Sequence, residues 1–309
     1  MSSANQFAGL TRGFIVLDKP SGLTSHDCVA AVRRRLQIRR VGHGGTLDPA
    51  ATGVLPVALG AATRLLPYLI DDKCYEGTVQ LGITTSTDDD EGEVLLRQRV
   101  PPFSRAELEA ALAPFRGEIL QAPPAVSAVK LAGERAYKRV RRGEQVTPSP
   151  RPVTIRGLEL LHWDGAARLQ LRVRCGAGTY IRSLARDLGR SLGCGAALLK
   201  LRRTEALGFA LEAAEPFSCL QADSVCWPRL HDPLEALAHL PRRILDNDEV
   251  QAWRCGRPFA LKPGAAAEEG PGGEGQPVVV VMADGRLAGM ARISAKAMLQ
   301  PKLVIDAAS

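Results

Sequence analysis

Two stretches of the chain alternate apolar and polar residues, as half-buried strands do. Between Tyr75 and Leu81 the odd-numbered positions are apolar or glycine and the even-numbered ones are polar, and a similar alternation runs from Leu169 to Cys175. Gly13 to Leu17 is an apolar run that leads into a turn containing proline and glycine, and Ala197 to Thr204 is a fourth candidate strand. The pattern predicts a sheet whose strands are spread along most of the chain.

Three segments instead show the three- and four-residue spacing of amphipathic helices. The first follows Ser25, which we expect to cap it, and leaves Arg33 to Arg35 facing outward. The second begins with a capping box formed by Ser104 and Glu107. The third follows Gly178, and its apolar stripe consists of Ile181, Leu184, Ala185, Leu188 and Leu192.

The character of the chain changes near residue 246. Gly264 to Pro277 is a low-complexity loop by composition, and Asp284-Gly285 joins two apolar strands as a hairpin turn does. We therefore predict one domain over residues 10–245 and a small β domain over residues 246–309.

Composition limits the class of protein. The chain has 309 residues, 45% hydrophobic and 24% charged, which is ordinary for a soluble globular protein of about two domains. No apolar run approaches the roughly 20 residues that span a bilayer, and residues 1–12 lack a secretory signal, so we expect a cytoplasmic protein with no membrane contact. Seven scattered cysteines without a Cys-x-x-Cys pair predict reduced thiols rather than disulfides or a zinc site. The formal charge of +7 favours an acidic partner.

One glycine-rich stretch, Val41 to Leu55, carries a single carboxylate, Asp48, followed by Pro49. Its glycines permit positive φ and a close approach of the backbone to a ligand. Five arginines precede it with no acidic residue between Asp27 and Asp48, and we expect the helix after Ser25 to deliver them to the mouth of this loop. Taken alone, the stretch is either a site for a polyanion or a plain surface Asp-Pro turn.

A second stretch, Gln121 to Pro152, is bracketed by prolines and is strongly basic. Seven lysine and arginine residues stand against Glu134 and Glu144, a surplus of five positive charges, with Tyr137 among them. The stretch is either a solvated charged face or a basic arm that folds over a nucleic acid. In contrast, the acidic run 88–91 would repel phosphate, and we expect it to be a solvated loop that faces away from such a partner.

Together these motifs resemble a known family. Val41 to Leu55, with Gly22 to Ser25 upstream and Gly178 to Arg182 downstream, is similar to the TruB family of tRNA pseudouridine synthases, which use a Gly-Gly-Thr-Leu-Asp-Pro motif. The likeness runs from about Phe14 to Thr204. It implies an α+β catalytic domain on a mixed, mainly antiparallel sheet, an RNA-gripping insertion at 121–152, and a C-terminal β-barrel-like domain of PUA type.

The resemblance also implies roles for single residues. Asp48 would be the nucleophile, and Arg182 would keep its carboxylate charged in a dry pocket, where burial alone would favour protonation. Tyr75 and Leu201 would hold the uracil ring between them. RNA-binding roles are implied for His43, Tyr180, Leu201, Lys19, Lys130 and Arg141. Val126 and Ala177 depart from the family pattern, in which an aromatic residue and a lysine are frequent, so no RNA contact is carried over to them.

The activity that the resemblance implies is the isomerisation of uridine to pseudouridine at position 55 in the T-arm loop of tRNA. The reaction breaks the bond from N1 to C1′ and joins C5 to C1′ of the same uracil. It transfers no external group and involves no net redox change, so we expect no cofactor and no metal. The partner expected is the T-arm stem-loop of tRNA, whose target base must be flipped out of its stack, and the protein is expected to be a monomer.

Two other functions remain open on the sequence. A non-catalytic RNA-binding or RNA-folding protein would need only the basic segments. A hydrolase or phosphotransferase with an aspartyl nucleophile is less well supported. It would lack a second acid in the Asp48 loop, a Walker-type lysine motif and a cluster of metal ligands.

Overall fold

A mixed sheet of ten strands forms the larger part of the fold, and a sheet of five strands follows it along the chain. The structure is a computed structural model that describes residues 12–127, 129–131, 133–144, 146–261 and 275–305. The strands are β1 (Arg12–Lys19), β2 (Val41–His43), β3 (Thr52–Gly60), β4 (Lys73–Leu81), β5 (Ile83–Thr85), β6 (Val94–Arg97), β7 (Gly117–Gln121), β8 (Lys130–Leu131), β9 (Glu134–Arg135), β10 (Arg151–Trp163), β11 (Arg168–Cys175), β12 (Ala196–Ala206), β13 (Phe209–Ala210), β14 (Glu215–Pro216), β15 (Arg242–Ile244), β16 (Phe259–Ala260), β17 (Pro277–Val281), β18 (Leu287–Ile293) and β19 (Met298–Val304). The α-helices are α1 (Ser25–Leu36), α2 (Arg105–Leu112), α3 (Ala136–Arg141), α4 (Ile181–Ser191), α5 (Pro233–Ala236) and α6 (Asn247–Arg254).

The larger sheet has the order β14-β1-β3-β12-β4-β11-β10-β7, with β2 paired to β3 and β13 paired to β12. Its pairings are antiparallel except those of β1 with β14 and of β3 with β12. The prediction of an α+β fold on a mixed, mainly antiparallel sheet is confirmed. The parallel pairing of β3 with β12 sets Arg202 opposite Thr52 and Arg203 opposite Gly53, which matters for the site described below.

The four predicted strands are present as β1, β4, β11 and β12, each extended by one or two residues at one or both ends. Strand β3 escapes the prediction because seven consecutive residues of it are buried, which leaves no alternation to detect. Strand β10 escapes it because two register shifts break its pattern along its 13 residues.

The helices pack one apolar face on the sheet. Helix α1 is capped by Thr24 rather than Ser25: the Thr24 hydroxyl accepts from the N–H of Asp27, and the Asp27 carboxylate accepts from the N–H of Thr24. The capping box of α2 is present as predicted. The stripe on α4 joins α2 and strands β4, β11 and β12 in the largest apolar cluster. No helix in the described ranges combines the length and the apolar content needed to cross a bilayer.

The second sheet has the order β15-β17-β18-β19-β16, and its two end strands do not pair with each other, so it forms a curled half-barrel. The predicted hairpin turn is present, with Gly285 at a φ of 83°. The low-complexity loop lies largely outside the described residues. Strand β15 belongs to this sheet but precedes residue 246. The predicted domain boundary at residue 246 stays a prediction. Val279 and Met290 of this sheet share a buried cluster with Phe14 and Val54 of the first.

One disulfide corrects the expectation from the cysteines. Cys219 and Cys226 are bonded, with Cα atoms 4.9 Å apart, so the prediction of reduced thiols is wrong for this pair. Its seven-residue spacing matches no motif that the sequence could have revealed. The free cysteines include four buried ones, as predicted: Cys28, Cys74, Cys175 and Cys194. Glu215 lies near the bonded pair, but both sulfurs are engaged with each other, so we assign no metal there.

Replacing Gly53 with alanine tests the close contact between β3 and β12. Gly53 has a φ of +104°, and an added Cβ would collide with the carbonyl group of Arg203. We expect Gly53→Ala to lower the free energy of unfolding by about 3 kcal/mol, measured by urea denaturation. Gly165→Ala is the matched control, because Gly165 has a φ of +78° but open space around it, and about 1 kcal/mol is expected there. Equal losses in the two variants would contradict the collision.

Candidate active site

The Asp48 loop, which we define as residues 44–51 between β2 and β3, is anchored on both sides of the carboxylate. Ser25 at the start of α1 bonds the backbone of Leu47 twice: its hydroxyl accepts from the N–H at 2.9 Å and donates to the carbonyl at 3.3 Å. On the other side, the carbonyl of Pro49 accepts from the N–H of Gly22 at 2.9 Å. Asp48 is therefore held between two fixed neighbours.

Lys19 supports the same loop from inside the protein. Its side chain is fully buried, and its ammonium group donates to the carbonyls of Pro49 at 3.0 Å and Pro20 at 2.8 Å. Burial lowers the pKa of Lys19, the positive charge of Arg203 adds to that effect, and Asp48 opposes it. The buried ammonium group points to a structural role in this structure, and an RNA contact by Lys19 stays a prediction. Lys19 supports the loop that bears the carboxylate.

Arg182, at the start of α4, lies against the Asp48 carboxylate, with Nε 2.9 Å from Oδ2. The N–H is not aligned for a hydrogen bond, so the contact is an ion pair. The same guanidinium donates to the carbonyls of Thr87 at 3.0 Å and Val126 at 3.1 Å, and lies 3.4 Å from the carboxylate of Asp89. Arg182 is thus fixed by four groups, of which Asp48 is one.

The two members of this pair differ in exposure. The Arg182 side chain is 7% exposed, whereas that of Asp48 is 41% exposed. The expectation of a dry pocket around the Asp48 carboxylate is therefore wrong for this structure. The pair is buried on the guanidinium side and open on the carboxylate side, so only a molecule placed over Asp48 would remove the carboxylate from water.

Two residues of the acidic run 88–91 turn inward, against the expectation, whereas Asp90 and Glu91 are exposed. Asp88 and Asp89 are each 13% exposed at the side chain, and Asp88 pairs with Arg186 at 2.9 Å. Burial raises the pKa of Asp88, and the charge of Arg186 opposes that rise. The prediction of a solvated loop is wrong for these two residues because α4 presents Arg182 and Arg186 one turn apart, and both need partners.

A cavity of about 320 Å³ opens beside the Asp48 carboxylate. Tyr75 on β4, Leu201 on β12 and Tyr180 at the N-cap of α4 form parts of its wall. Burial raises the pKa values of both Tyr75 and Tyr180, so both phenols stay neutral and keep a proton to donate. The structure therefore brings together Asp48, Tyr75, Tyr180, Arg182 and Leu201; their roles stay predictions.

A larger cavity, about 540 Å³, lies on the face of β4 that carries Glu76 and Thr78, and Leu201 contributes to it as well. Glu76 is paired there with Arg172 at 2.9 Å, and Arg202 with Asp18 at 2.8 Å. Charged groups that satisfy one another offer little to a reacting ligand. The smaller cavity, which combines a carboxylate with a guanidinium and two neutral phenols, is the better candidate.

His43 lies at the end of β2 rather than in the loop, and it is not part of the cavity wall. Its ring meets that of His26 edge to face, with centroids 5.4 Å apart. Burial lowers the pKa of His43, and the charges of His26 and Arg203 lower it further. Its Nδ1 atom is buried without a hydrogen-bond partner. His43 is thus a neutral ring beside the loop, available for stacking.

Both acidic residues of the basic insertion pair with arginines, and the surplus of five positive charges remains. Lys130 lies in β8, and Arg141 is the last residue of α3. The structure does not describe every side chain of the insertion; those outside the described part include Lys130, Arg135, Tyr137, Lys138 and Arg141. Arg139 pairs with Glu144 at 2.6 Å, and Arg142 pairs with Glu134 at 2.7 Å and with Glu144 at 2.8 Å. Both acidic residues of the insertion therefore offset an arginine.

The arginines near α1 do not all reach the Asp48 loop. The guanidinium of Arg35 packs 3.9 Å from the centre of the Trp227 ring and donates to carbonyls of residues 222–226. The expectation that α1 delivers its arginines to the mouth of the loop is therefore wrong for Arg35. Four others are exposed and form no ion pair with a carboxylate in the described ranges: Arg33, Arg34, Arg39 and Arg40.

Arg203 is a site residue that the sequence analysis misses. It is fully buried, and it donates to the carbonyls of Val54 at 2.7 Å and Gly45 at 3.1 Å, so it bridges the two ends of the Asp48 loop. It also lines the cavity. The alternation along β12 is a signal that could have found it, since Leu201 and Arg203 share a face. For Asp89 there was no such signal, because acidic runs are usually solvated.

Comparisons with known proteins agree with the motifs. A family model described as TruB family pseudouridylate synthase (N terminal domain) matches residues 33–181. A relative from Parasynechococcus marenigrum named tRNA pseudouridine synthase B is 56% identical over 296 residues, 96% of this chain and 98% of that one. A relative of the same name from a Synechococcus species is 55% identical over 302 residues, with the same coverage. A solved Cbf5-Nop10-Gar1 complex contains a chain that is 26% identical, with a TM-score of 0.69, over 95% of this chain and 85% of that one.

The environment of His43 has a measurable consequence. We expect its imidazole to titrate below its ordinary pKa of 6.5, because burial and neighbouring positive charge oppose protonation. Unfolding then takes up a proton that the folded chain excludes, so His43 reduces folding stability as the pH falls through 6.5 and has no effect well above it. NMR titration, assigned with His43→Gln, measures this pKa. His26→Asn should raise it, whereas a His43 pKa at or above 6.5 in the unaltered protein would contradict the buried environment.

Proposed function

The chain belongs to the TruB family of pseudouridylate synthases and is a tRNA pseudouridine synthase, and on that premise we propose that it isomerises uridine 55 in the T-arm loop of tRNA with Asp48 as the nucleophile. One observation carries the proposal: the Asp48–Arg182 ion pair lies at a cavity of about 320 Å³ whose wall includes Tyr75 and Leu201. That volume lies at the lower end of ordinary ligand pockets and suits a single nucleoside.

Asp48 supplies the nucleophile in this mechanism. Arg182 stabilises the ionised carboxylate and fixes its direction, while the anchored loop prevents it from turning away. The carboxylate attacks either C1′ of the ribose or C6 of the uracil. Both attacks use the same charged group in the same place.

The detached ring must rotate without leaving the enzyme. Tyr75 and Leu201 offer an aromatic and an aliphatic surface, neither of which forms a directional bond to the ring. The neutral Tyr180 phenol keeps a hydrogen-bond donor at the same cavity. These walls hold the base and, once RNA covers Asp48, exclude water that would hydrolyse the intermediate.

The base reaches this cavity by flipping out of the T loop, at a cost of about a few kcal/mol. His43 stacks in the vacated position; its neutral, half-buried ring, one loop away from Asp48, supports this role. Lys130 and Arg141 in the insertion contribute contacts to the RNA backbone.

The remaining RNA contacts come from charge that the protein does not neutralise itself. The four exposed arginines near α1 are available to phosphates, whereas Arg156, Arg172 and Arg174 on the sheet are paired with carboxylates. The half-barrel, which includes β15 ahead of residue 246, serves as an additional RNA-binding domain of PUA type. The enzyme works as a monomer in the cytoplasm, without a cofactor or a metal.

A purely RNA-binding role is less well supported. It would rest on the basic insertion alone, in which Arg139 and Arg142 are already paired with the two glutamates. It would also leave the Asp48–Arg182 pair without a purpose, since an ion pair with one exposed member contributes little to stability.

Asp48→Asn tests the nucleophile. The amide keeps the shape of the side chain but cannot attack, so we expect the single-turnover release of tritium from C5-labelled uridine in a tRNA transcript to fall by about 1,000-fold or more. The matched control is Asp164→Asn, in the turn between β10 and β11, where an amide oxygen can still accept from the N–H groups of Ala166 and Arg168. Full activity of Asp48→Asn would remove Asp48 from the mechanism.

A second experiment tests which arginines meet the RNA. Replacing both Arg34 and Arg39 with glutamine should reduce the slope of log Kd against log salt concentration by about 1 to 2, because each lost phosphate contact releases fewer counterions. The paired arginines Arg156 and Arg172 give the matched double variant, which should leave the slope unchanged. Equal slopes for the unaltered protein and both variants would show that the exposed arginines do not bind phosphate.

A further inference from the structure

Arg203 combines two properties that structural arginines rarely share. Its side chain is fully buried, and no carboxylate in the described part of the chain forms an ion pair with it. Two of its nitrogens donate to the carbonyls of Val54 and Gly45, while Nη1 is buried without a hydrogen-bond partner. The protein therefore encloses a full positive charge, and the side chain that interacts with it is the neutral Tyr75 phenol rather than a carboxylate.

Other buried arginines in the chain are compensated. Arg182 lies between Asp48 and Asp89, and Arg243 lies 2.9 Å from the buried carboxylate of Glu249. A buried cation without an anion is strongly unfavourable, because the interior cannot replace its hydration. Two carbonyls could be bridged by a neutral amide at lower cost, so bridging the loop does not account for the charge of Arg203.

The charge lies in the wall of the cavity, to which Arg203 itself contributes. A Cβ added to Gly45, which lines the cavity, would lie 3.4 Å from Nη1 of Arg203. The guanidinium carbon is 6.0 Å from the centre of the Tyr75 ring. A base that stacks on Tyr75 at about 3.5 Å would bring its own charge to within about 10 Å of this cation.

We propose that the Arg203 guanidinium stabilises the negative charge that the uracil ring gains during the reaction, acting from the cavity wall through its charge rather than through a hydrogen bond to the ring. The inference rests on the proposed function and deepens it. It makes Arg203 a positioning residue, since its two hydrogen bonds hold the Asp48 loop, and also the counter-charge for the substrate's base.

The electron balance of the reaction requires such a counter-charge. When the N1 to C1′ bond breaks, its electron pair stays on the ring, and the Asp48 carboxylate bonds to C1′. If the carboxylate adds to C6 instead, the pair of the C5 to C6 double bond moves toward C5 and O4. The extra pair is used when C5 bonds to C1′ and the carboxylate leaves; C5 then loses its proton and N1 gains one. On either route the ring is transiently an anion.

Arg203→Gln and Arg203→Lys separate charge from bridging. Glutamine keeps an amide donor and removes the charge, whereas lysine keeps the charge and loses the planar bridge. For Arg203→Gln we expect an unchanged Kd for tRNA and a single-turnover rate about 20-fold lower, from one charge at such a distance in a partly screened interior. Arg203→Lys should stay within about threefold of the unaltered rate. The matched control is Arg202→Gln on the same strand, where the arginine is paired with Asp18 and the rate should not change.

A substrate with a more acidic base distinguishes this role from a structural one. 5-Fluorouracil holds negative charge on its ring more readily than uracil, so loss of Arg203 should matter less for it. We expect Arg203→Gln to slow consumption of 5-fluorouridine in a tRNA transcript by only about threefold, measured by mass spectrometry of the digested RNA. Equal losses on both substrates would overturn the charge role, as would an unaltered rate in Arg203→Gln or a failure of lysine to restore the rate.

Two controls keep the outcomes separate. If Arg203→Gln does not fold, as judged by circular dichroism and thermal unfolding, Arg203→Lys still decides: a rate within about threefold supports the proposal, and a loss of about 100-fold overturns it. Failure of the proposed function would appear as an inactive unaltered protein, or as a fully active Asp48→Asn variant. Failure of this inference leaves both of those results normal and changes only the Arg203 variants.

Discussion

The ion pair between Asp48 and Arg182 joins two parts of the chain that are distant in sequence, with Nε 2.9 Å from Oδ2. The rest of the fold brings these two parts together. Each partner is also fixed by contacts of its own. Ser25 and Lys19 hold the loop that bears Asp48, and backbone carbonyls and Asp89 hold Arg182. A pair with one exposed member contributes little to stability. The fold therefore determines the geometry of the pair. The pair is available for catalysis and is not a source of the fold's stability.

The site is held together by cations bonded to backbone carbonyls. Lys19 uses two carbonyls and Arg203 uses two, and neither is neutralised by a carboxylate within the described residues. With Arg182 they place three buried or nearly buried cations at the Asp48 loop. Positive charge is therefore concentrated at the site where we propose that RNA binds. Elsewhere on the sheet, Arg156, Arg172, Arg174 and Arg202 are paired with carboxylates.

The sequence predicted those parts of the molecule whose pattern is local. Alternation located β4 and β11, the strands that carry Tyr75 and shape the core, and the stripe on α4 placed Arg182 at a helix start. The pairing of Asp48 with Arg182 followed from the resemblance and from charge. Strand β3 stayed hidden because it is buried on both faces, and β10 because its register shifts twice. The inward turn of Asp89 depends on a tertiary partner, which no local pattern records.

The exposure of Asp48 indicates which side of the ion pair the protein covers and which side it leaves for the substrate to cover. A fully buried carboxylate would gain strength as a nucleophile, but its desolvation would also raise its pKa and oppose the ionised form. The protein buries only the guanidinium side of the pair and leaves the carboxylate 41% exposed. In the proposed mechanism, an RNA strand that seats its flipped base over Tyr75 supplies the missing wall. On that proposal the carboxylate loses its water only when the substrate arrives, and the free energy of RNA binding, instead of that of folding, offsets the cost.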